Sequence, residues 1–238
     1  MKVLAIIPAR GGSVGIPRKN IRKLAGIPLI EYSILSAKKS HKIDKIVVTT
    51  DDKKIAKIAK SAGAEVPFLR PKKLSKNKTI IINVIKHTLK FLKTNQSFVP
   101  DIILLFQPTS PLRTTKLLEQ SINILKKSKA TSVITLSEVI THPYYSFWLN
   151  NGSLKPFVPN FEKYNRRQDF PKLYYPTGTV YAFWRKTLEK YDSIYGPKII
   201  PLFEKQEDHI DIDTDFDFFI AEMRILYWKK FIKKFRHT

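Results

Sequence analysis

Val3-Leu4-Ala5-Ile6-Ile7-Pro8-Ala9-Arg10-Gly11-Gly12-Ser13-Val14-Gly15-Ile16-Pro17-Arg18-Lys19-Asn20 decides how the rest of the chain is read. Its first six residues are almost wholly apolar and end on a proline, the pattern of a buried strand. A loop follows that carries Gly11, Gly12 and Gly15, the cations Arg10, Arg18 and Lys19, and the hydroxyl of Ser13. In open α/β sheets, ligands bind at the carboxyl ends of strands. Glycines let backbone N–H groups approach phosphate oxygens, and Arg and Lys balance the charge. The loop is not a dinucleotide fingerprint, because Ser13 stands where the second glycine belongs, and no Gly-Lys-Ser/Thr closes it as a P-loop. A surface turn with incidental cations is the plainer alternative.

Outward from this stretch, short apolar runs at 45–50, 66–69, 102–106 and 132–136 alternate with amphipathic segments at 29–40, 53–62, 79–93 and 115–127. In the third of these segments Ile81, Val84, Ile85, Thr88, Leu89 and Leu92 recur at helical spacing. Strands alternating with helices of this length predict βαβ units, hence a doubly wound, mostly parallel α/β sheet. The rhythm breaks after about residue 138. Residues 139–176 hold scattered prolines, many aromatics and the turn signal Asn150-Asn151-Gly152, and read as an inserted hairpin or arm. The parallel pattern is expected to resume at 179–183, with a last strand near 198–201 and a final helix over 215–234. One domain spanning 1–238 with an insertion is the expected organisation.

Three further clusters carry chemistry. In Glu207-Asp208-His209-Ile210-Asp211-Ile212-Asp213-Thr214-Asp215, an extended backbone puts Asp211 and Asp213 on one face. Two converging carboxylates repel unless a cation lies between them, and Mg²⁺, a hard ion shared with substrate phosphates, suits them (Mn²⁺ is the alternative). An acidic helix N-terminus capped by Thr214 or Asp215, with Asp217 in its first turn, is the competing and compatible explanation. Leu104-Leu105-Phe106-Gln107-Pro108-Thr109-Ser110-Pro111-Leu112-Arg113 again runs from strand to polar loop, and Gln107 can both donate to and accept from a sugar or base edge. In Asn165-Arg166-Arg167-Gln168-Asp169 the paired arginines could grip a carboxylate, or simply form a solvated loop.

Composition narrows the classes. Of 238 residues 43% are apolar, enough for a core, and no cysteine is present, which excludes disulfides, thiolate metal sites and a cysteine nucleophile. The opening apolar run is too short for a signal peptide or a span, so a cytoplasmic location is expected. The net charge of +23 raises RNA or anionic lipid as partners, but the lysines are spread over most helices. Only the tail Lys229-Lys230-Phe231-Ile232-Lys233-Lys234-Phe235-Arg236 is dense, and the expectation is no nucleic acid and no membrane. His41, His87, His142 and His209 lack metal spacing. Trp148, Trp184 and Trp228 read as packing, and so does the stripe Phe216, Ile220, Met223, Tyr227, Phe231 and Phe235.

Taken in order, the runs Ile7–Ser13, Gly15–Asn20, Val48-Thr49-Thr50-Asp51, Gln107–Arg113, Arg166–Asp169 and Ile210–Asp213 resemble the acylneuraminate cytidylyltransferases, the CMP-sialic acid synthetase family. The resemblance implies a nucleotide-diphospho-sugar transferase-like fold and a nucleotidyltransferase that joins CTP to a nonulosonic acid of the sialic, legionaminic or pseudaminic type. It implies Mg²⁺ dependence and a homodimer whose inserted arm reaches into the partner's site. By matching position, Arg10, Gly11, Gly12, Ser13, Gly15, Lys19, Asn20, Arg70 and Thr79 would hold the nucleotide. Gln107, Arg166 and Arg167 would meet the sugar acid, Asp211 and Asp213 would carry the metal, and Arg10, Lys19, Arg166 and Arg167 would act in catalysis. Val14 stands where the family usually has lysine, and Ile80-Ile81 interrupts a Ser/Thr-rich run near the nucleotide. Tyr175 and Thr177 replace the Arg and Asn of an Arg-Pro-Asn-Gly stretch, and Tyr145 falls near a sugar-contacting lysine of some members. These departures fall mostly on the sugar side. A related synthetase for an eight-carbon, Kdo-type acid is the nearest alternative, and a non-catalytic RNA- or membrane-binding protein is the alternative from another class.

Overall fold

The structure, a computed structural model, describes residues 1–13, 15–159, 161–164 and 166–235, with only the backbone described for Phe161, Arg167, Lys229 and 231–235. In chain order the strands are β1 (Val3–Pro8), β2 (Lys23–Leu24), β3 (Ile27–Pro28), β4 (Lys45–Thr49), β5 (Ile102–Leu105), β6 (Ser132–Glu138), β7 (Phe147–Asn150), β8 (Ser153–Pro156), β9 (Tyr174–Trp184) and β10 (Ile199–Phe203). The α-helices are α1 (Leu29–Lys38), α2 (Lys53–Ser61), α3 (Ile81–Gln96), α4 (Thr115–Lys127), α5 (Arg185–Tyr191) and α6 (Asp215–Phe235).

Six strands form one sheet in the order β10-β6-β9-β5-β1-β4. The pairs β1–β4, β1–β5 and β6–β10 are parallel. β1 shows why helices cover both faces. Its alternate residues Val3, Ala5 and Ile7 belong to a core with residues of α1, α2 and α4, while Leu4 and Ile6 belong to a second core with residues of α3 and α5. This is the alternation a strand buried on both sides requires. From β1 the chain runs outward to β4, then back across β1 to β5. The switch point, with its crevice at the strand ends, therefore lies between β1 and β5.

Three expectations are corrected. β9 is antiparallel to both its neighbours instead of resuming the parallel pattern at 179–183. It follows β6 without a crossover helix, so the chain doubles straight back, with Glu138 opposite Tyr174 and the whole segment 139–173 hanging from the turn. The run 66–69 forms no strand. It makes only isolated bridges, Glu65 with Val47 and Leu69 with Thr50, and Pro67 between them has no N–H to extend a ladder. Among its described side chains, α6 buries Phe218 and Ala221, with Ile225 packed beside them, and exposes Phe216, Ile220 and Tyr227 of the expected stripe. The Phe231 and Phe235 side chains lie outside the described residues.

β6 and β9 slip register between Ile134 and Leu136, where Gly178 adopts φ +74°. Such bulges re-aim side chains beside functional sites. A Cβ on Gly178 would lie 3.7 Å from the Gln107 carboxamide and from Ser110 Oγ, so the bulge forms one wall of the loop after β5. Trp184 packs against the core and donates to Ala130 O at 3.0 Å, as packing predicts. Trp148, on β7, is instead 60% exposed.

Candidate active site

A third apolar cluster builds the site. Ile16, Leu24, Leu29, Ile212, Phe218 and Ala221 are buried together, so the glycine loop, the start of α1, the acidic segment and α6 share one small core. Ile212 points into it. With a period of two, Asp211 and Asp213 must then point the other way together. The backbone closes on the same spot. A Cβ on Gly15 would sit 2.3 Å from the Asp213 carbonyl oxygen, so only glycine permits this approach. Ile212 N donates to Thr109 O at 2.9 Å, which ties in the loop after β5. Lys19 Nζ donates to Ile212 O at 2.6 Å and to Asp213 Oδ1 at 3.1 Å.

These contacts floor a cavity of about 550 Å³, well within the ~300–1,000 Å³ of small-molecule sites. Arg10, Ser13, Gly15, Lys19, Asn20, Arg70, Thr79, Gln107 and Asp213 line it, each of them a residue the sequence singled out. Its apolar wall is made by Ile81, Val84, Leu105, Ile194, Tyr181 and Tyr195. Of these, Tyr181, Ile194 and Tyr195 carry no polar motif and resemble core positions in the sequence. Burial pushes the Tyr181 phenol up to about 12, so it is a neutral donor at physiological pH. Lys76 and Asn77 also line the cavity and were missed, because they sit in a lysine-rich loop without a pattern of its own.

The electrostatics favour an anion. Arg70 is buried, and its Nε and Nη2 have no hydrogen-bond partner, the Asp51 carboxylate standing 3.9 Å away. Desolvation lowers the guanidinium's pKa, Asp51 partly restores it, and nearby Arg10 lowers it again. Buried cationic donors without a protein partner suit an incoming anion. Asn20 donates to Arg10 O at 2.9 Å, holding the glycine loop in shape. Gly11 departs from its expected part. Its N–H donates to Asp51 Oδ1 at 2.9 Å, since the parallel pairing of β1 with β4 brings Asp51 alongside the loop. Neither Gly11 nor Gly12 lines the cavity.

Gln107 is held from behind. The buried Arg113 donates to Gln107 O at 2.8 Å, Ser33 Oγ at 2.8 Å and Thr179 O at 2.5 Å, and stacks 4.7 Å from the Phe106 ring centroid. Burial pulls its pKa down to about 9, against the pull of Glu204, so it remains charged at neutral pH. In the same loop, buried Ser110 Oγ has no hydrogen-bond partner among the described residues.

Asp211 lies beside this floor without lining the cavity. Desolvation pushes its carboxyl above the ordinary aspartate range. The Thr109 hydroxyl and Lys19 pull it back, while Asp213 and Asp217 add to the rise. The next turn is a reciprocal cap: Thr214 Oγ1 accepts from Asp217 N at 3.2 Å, and Asp217 Oδ2 accepts from Thr214 N at 2.8 Å and Asp213 N at 3.1 Å. The helix cap expected of the acidic segment is therefore present. Among the described residues no group of three or more His, Asp or Glu could hold a metal. A pair of carboxylates fits Mg²⁺ nonetheless, because that ion takes one or two protein carboxylates together with substrate phosphates.

The structure does not bring Arg166 to the cavity. It pairs with Asp169 at 3.1 Å on the inserted arm and is largely exposed. The Arg167 side chain, Val14, Asn165 and most of the basic tail's side chains lie outside the described residues. His209, given no part by the sequence, lies 2.7 Å from the Tyr175 hydroxyl through Nε2, with Nδ1 3.2 Å from Lys205 O. Thr177 donates to Glu204 Oε2 at 2.6 Å. The two residues that depart from the family stretch are thus tied to other side chains of this fold. Among the described residues no helix is long and apolar enough to cross a membrane.

Comparison with known proteins agrees with this geometry. A CMP-N,N'-diacetyllegionaminic acid synthase of Legionella pneumophila is 36% identical over 227 residues, covering 93% of this chain and 95% of its own length. A pseudaminic acid cytidylyltransferase of Campylobacter jejuni is 32% identical over 227 residues, covering 95% and 97%. A CMP:2-keto-3-deoxy-manno-octonic acid synthetase, whose structure was solved with CTP, superposes with a TM-score of 0.70 at 15% identity, covering 97% of this chain and all of its own, a likeness of fold. The cytidylyltransferase family matches residues 4–234, and this chain, a nucleotidyltransferase, belongs to it.

Proposed function

We propose that the enzyme transfers CMP from CTP to the anomeric hydroxyl of a nonulosonic acid of the sialic, legionaminic or pseudaminic type. The observation that carries this reading is the meeting of the two chain ends. Lys19 lies 3.1 Å from Asp213, and Gly15 lies against the Asp213 carbonyl, on the floor of a cation-lined cavity. The relatives' names supply the class of acid.

In the reaction, the anomeric oxygen forms a bond to the α-phosphorus, the bond from that phosphorus to the bridging oxygen breaks, and pyrophosphate leaves with the electron pair. The hydroxyl proton is released. Negative charge on the phosphoryl oxygens is the main thing to stabilise. Arg10, Ser13, Lys19 and Arg70 surround the nucleotide, Asn20 and Thr79 complete its polar wall, and Gln107 orients the acid. Lys19, held by Ile212 O and Asp213, is already aimed when substrate arrives. Asp211 and Asp213 would hold Mg²⁺, which when bound supplies positive charge to the phosphates.

The single catalytic unit 1–238 carries its insertion as a dimerisation arm. Trp148 and Leu149 on β7 and Leu154 on β8 are 60%, 74% and 65% exposed, an apolar hairpin that a second copy would cover. Dimerisation would deliver Arg166 and Arg167 to the partner's sugar acid, working in the cytoplasm.

The decisive experiment measures pyrophosphate release from CTP, UTP, ATP and GTP against a panel of legionaminic, pseudaminic, sialic and Kdo-type acids, with Mg²⁺ and after chelation. Turnover confined to CTP with a nine-carbon acid, and abolished by chelation, is expected. Equal use of another nucleotide, or no turnover of CTP with any acid, overturns the reading.

A further inference from the structure

Beyond the residues that match the family, the segment 71–79 forms one wall of the cavity and brings Lys76 and Asn77 to it. Among the described lining residues four cations, Arg10, Lys19, Arg70 and Lys76, face one carboxylate, Asp213. Three of the cations are already engaged or enclosed. Lys19 is bound to Ile212 O and Asp213, Arg10 donates to Asn77 Oδ1, and Arg70 is buried near Asp51. Lys76 makes no ion pair among the described residues and is exposed at the rim. Asn77 is a neutral partner, so it fixes the Arg10 guanidinium without cancelling its charge. A carboxylate at that position would cancel it.

The ligand's own charge distribution sets the orientation. The base is uncharged and suits the enclosed apolar wall, whereas the terminal phosphates bear most of the charge and must depart through solvent as pyrophosphate. Exposed cations at the rim therefore match the far end of the triphosphate. On the reading that the ligand is CTP, we infer that Lys76 binds the β- and γ-phosphates and that Asn77 is a positioning residue for Arg10. The lysine is a point charge on a flexible stem, suited to catch a phosphate and release it as product.

Calorimetric titration with CTP and with CMP, in Mg²⁺ buffer, tests this on the full chain. Lys76→Met should weaken CTP binding about tenfold or more while leaving CMP within about twofold, since charge-assisted contacts are the strong ones. Lys76→Arg should recover most of the loss. Asn77→Asp should also weaken CTP, by neutralising Arg10. Lys76 is exposed, so the melting temperature should match wild type and exclude misfolding as the cause. Wild-type binding of CTP with an indifferent Lys76→Met, or an equal loss for CTP and CMP, overturns this inference alone. A wild-type protein that binds no CTP overturns the functional reading with it.

Discussion

Gly15→Ala separates site assembly from folding most sharply. The new Cβ would lie 2.3 Å from the Asp213 carbonyl oxygen, and ordinary contact begins near 3.4 Å, so the glycine loop and the acidic segment must part by about 1.1 Å. Both are backbone, and Ile16 and Ile212 anchor them in one core, so neither can yield by rotating a side chain. The displacement acts on the Lys19–Asp213 pair and, on the proposed reading, on the spacing of Asp211 and Asp213 from the nucleotide's phosphates. A misplacement of ~1 Å can cost ~10²-fold in rate, or about 2.7 kcal/mol of transition-state stabilisation. Steady-state pyrophosphate release should therefore show kcat reduced about a hundredfold, with a higher Mg²⁺ requirement. Gly12→Ala is the matched control, because a Cβ there meets nothing within 4 Å. Gly15→Ala turning over at the wild-type rate, or both alanines losing activity equally, would refute the reasoning.

Asp217 titrates below the ordinary aspartate range: partial burial pushes it up, but the Thr214 hydroxyl, the Thr214 and Asp213 amides and Lys19 outweigh that. A depressed folded-state pKa contributes stability above the ordinary value of ~3.9 that is lost as pH falls through the folded value. Asp217→Ala should thus lower stability by about 1 kcal/mol at neutral pH, with the gap from wild type closing in acid, as read by thermal melts at several pH values. Arg113→Ala removes three hydrogen bonds to three elements and leaves a hole behind Gln107. Urea denaturation should show a loss of about 3 kcal/mol or more, and the KM for the sugar acid should rise. Leu149→Glu, at a 74% exposed arm position, should leave the melt unchanged while sedimentation shows monomer and turnover falls. A monodisperse dimer would count against the arm's assigned part.

The parts of the fold that repeat were legible, because β1, β4, β5 and β6 and the helices α1 to α4 announce themselves by their own periods, whereas the two-residue strands β2 and β3 are too short to show one. Val3–Pro8 and Thr115–Lys127 match their readings to the residue. The antiparallel β9 was not legible, since a strand's direction depends on what connects it, and 139–173 has the composition of an irregular arm. The α6 stripe misled because two apolar faces compete on one helix, and only the neighbours Ile16 and Leu24 decide between them. In the site, the charged residues were legible because glycines, cations and paired carboxylates are rare in combination. Its apolar wall was not, because Tyr181 and Ile194 look like any buried residue until a cavity stands beside them. Gly11 shows the converse difficulty: read as a nucleotide-binding position of its loop, its N–H is taken by Asp51, a residue forty positions away.

The third core cluster explains why residues so far apart in sequence can serve one reaction. Ile16 and Ile212 are each fully buried, and each is flanked by site residues, Gly15 on one side and Asp211 and Asp213 on the other. The hydrophobic contact therefore does the work of alignment, and the polar contacts refine it. Lys19 by itself could not do so, because Asp213 is mostly exposed and such ion pairs contribute little against solvent. The cost appears at Asp211, whose charged form is disfavoured by desolvation and by its acidic neighbours. On the proposed reading, a cation arriving with the nucleotide would relieve that repulsion. Ile212→Ala should accordingly impair turnover more than the loss of stability accounts for, because it loosens the alignment while leaving every polar group in place.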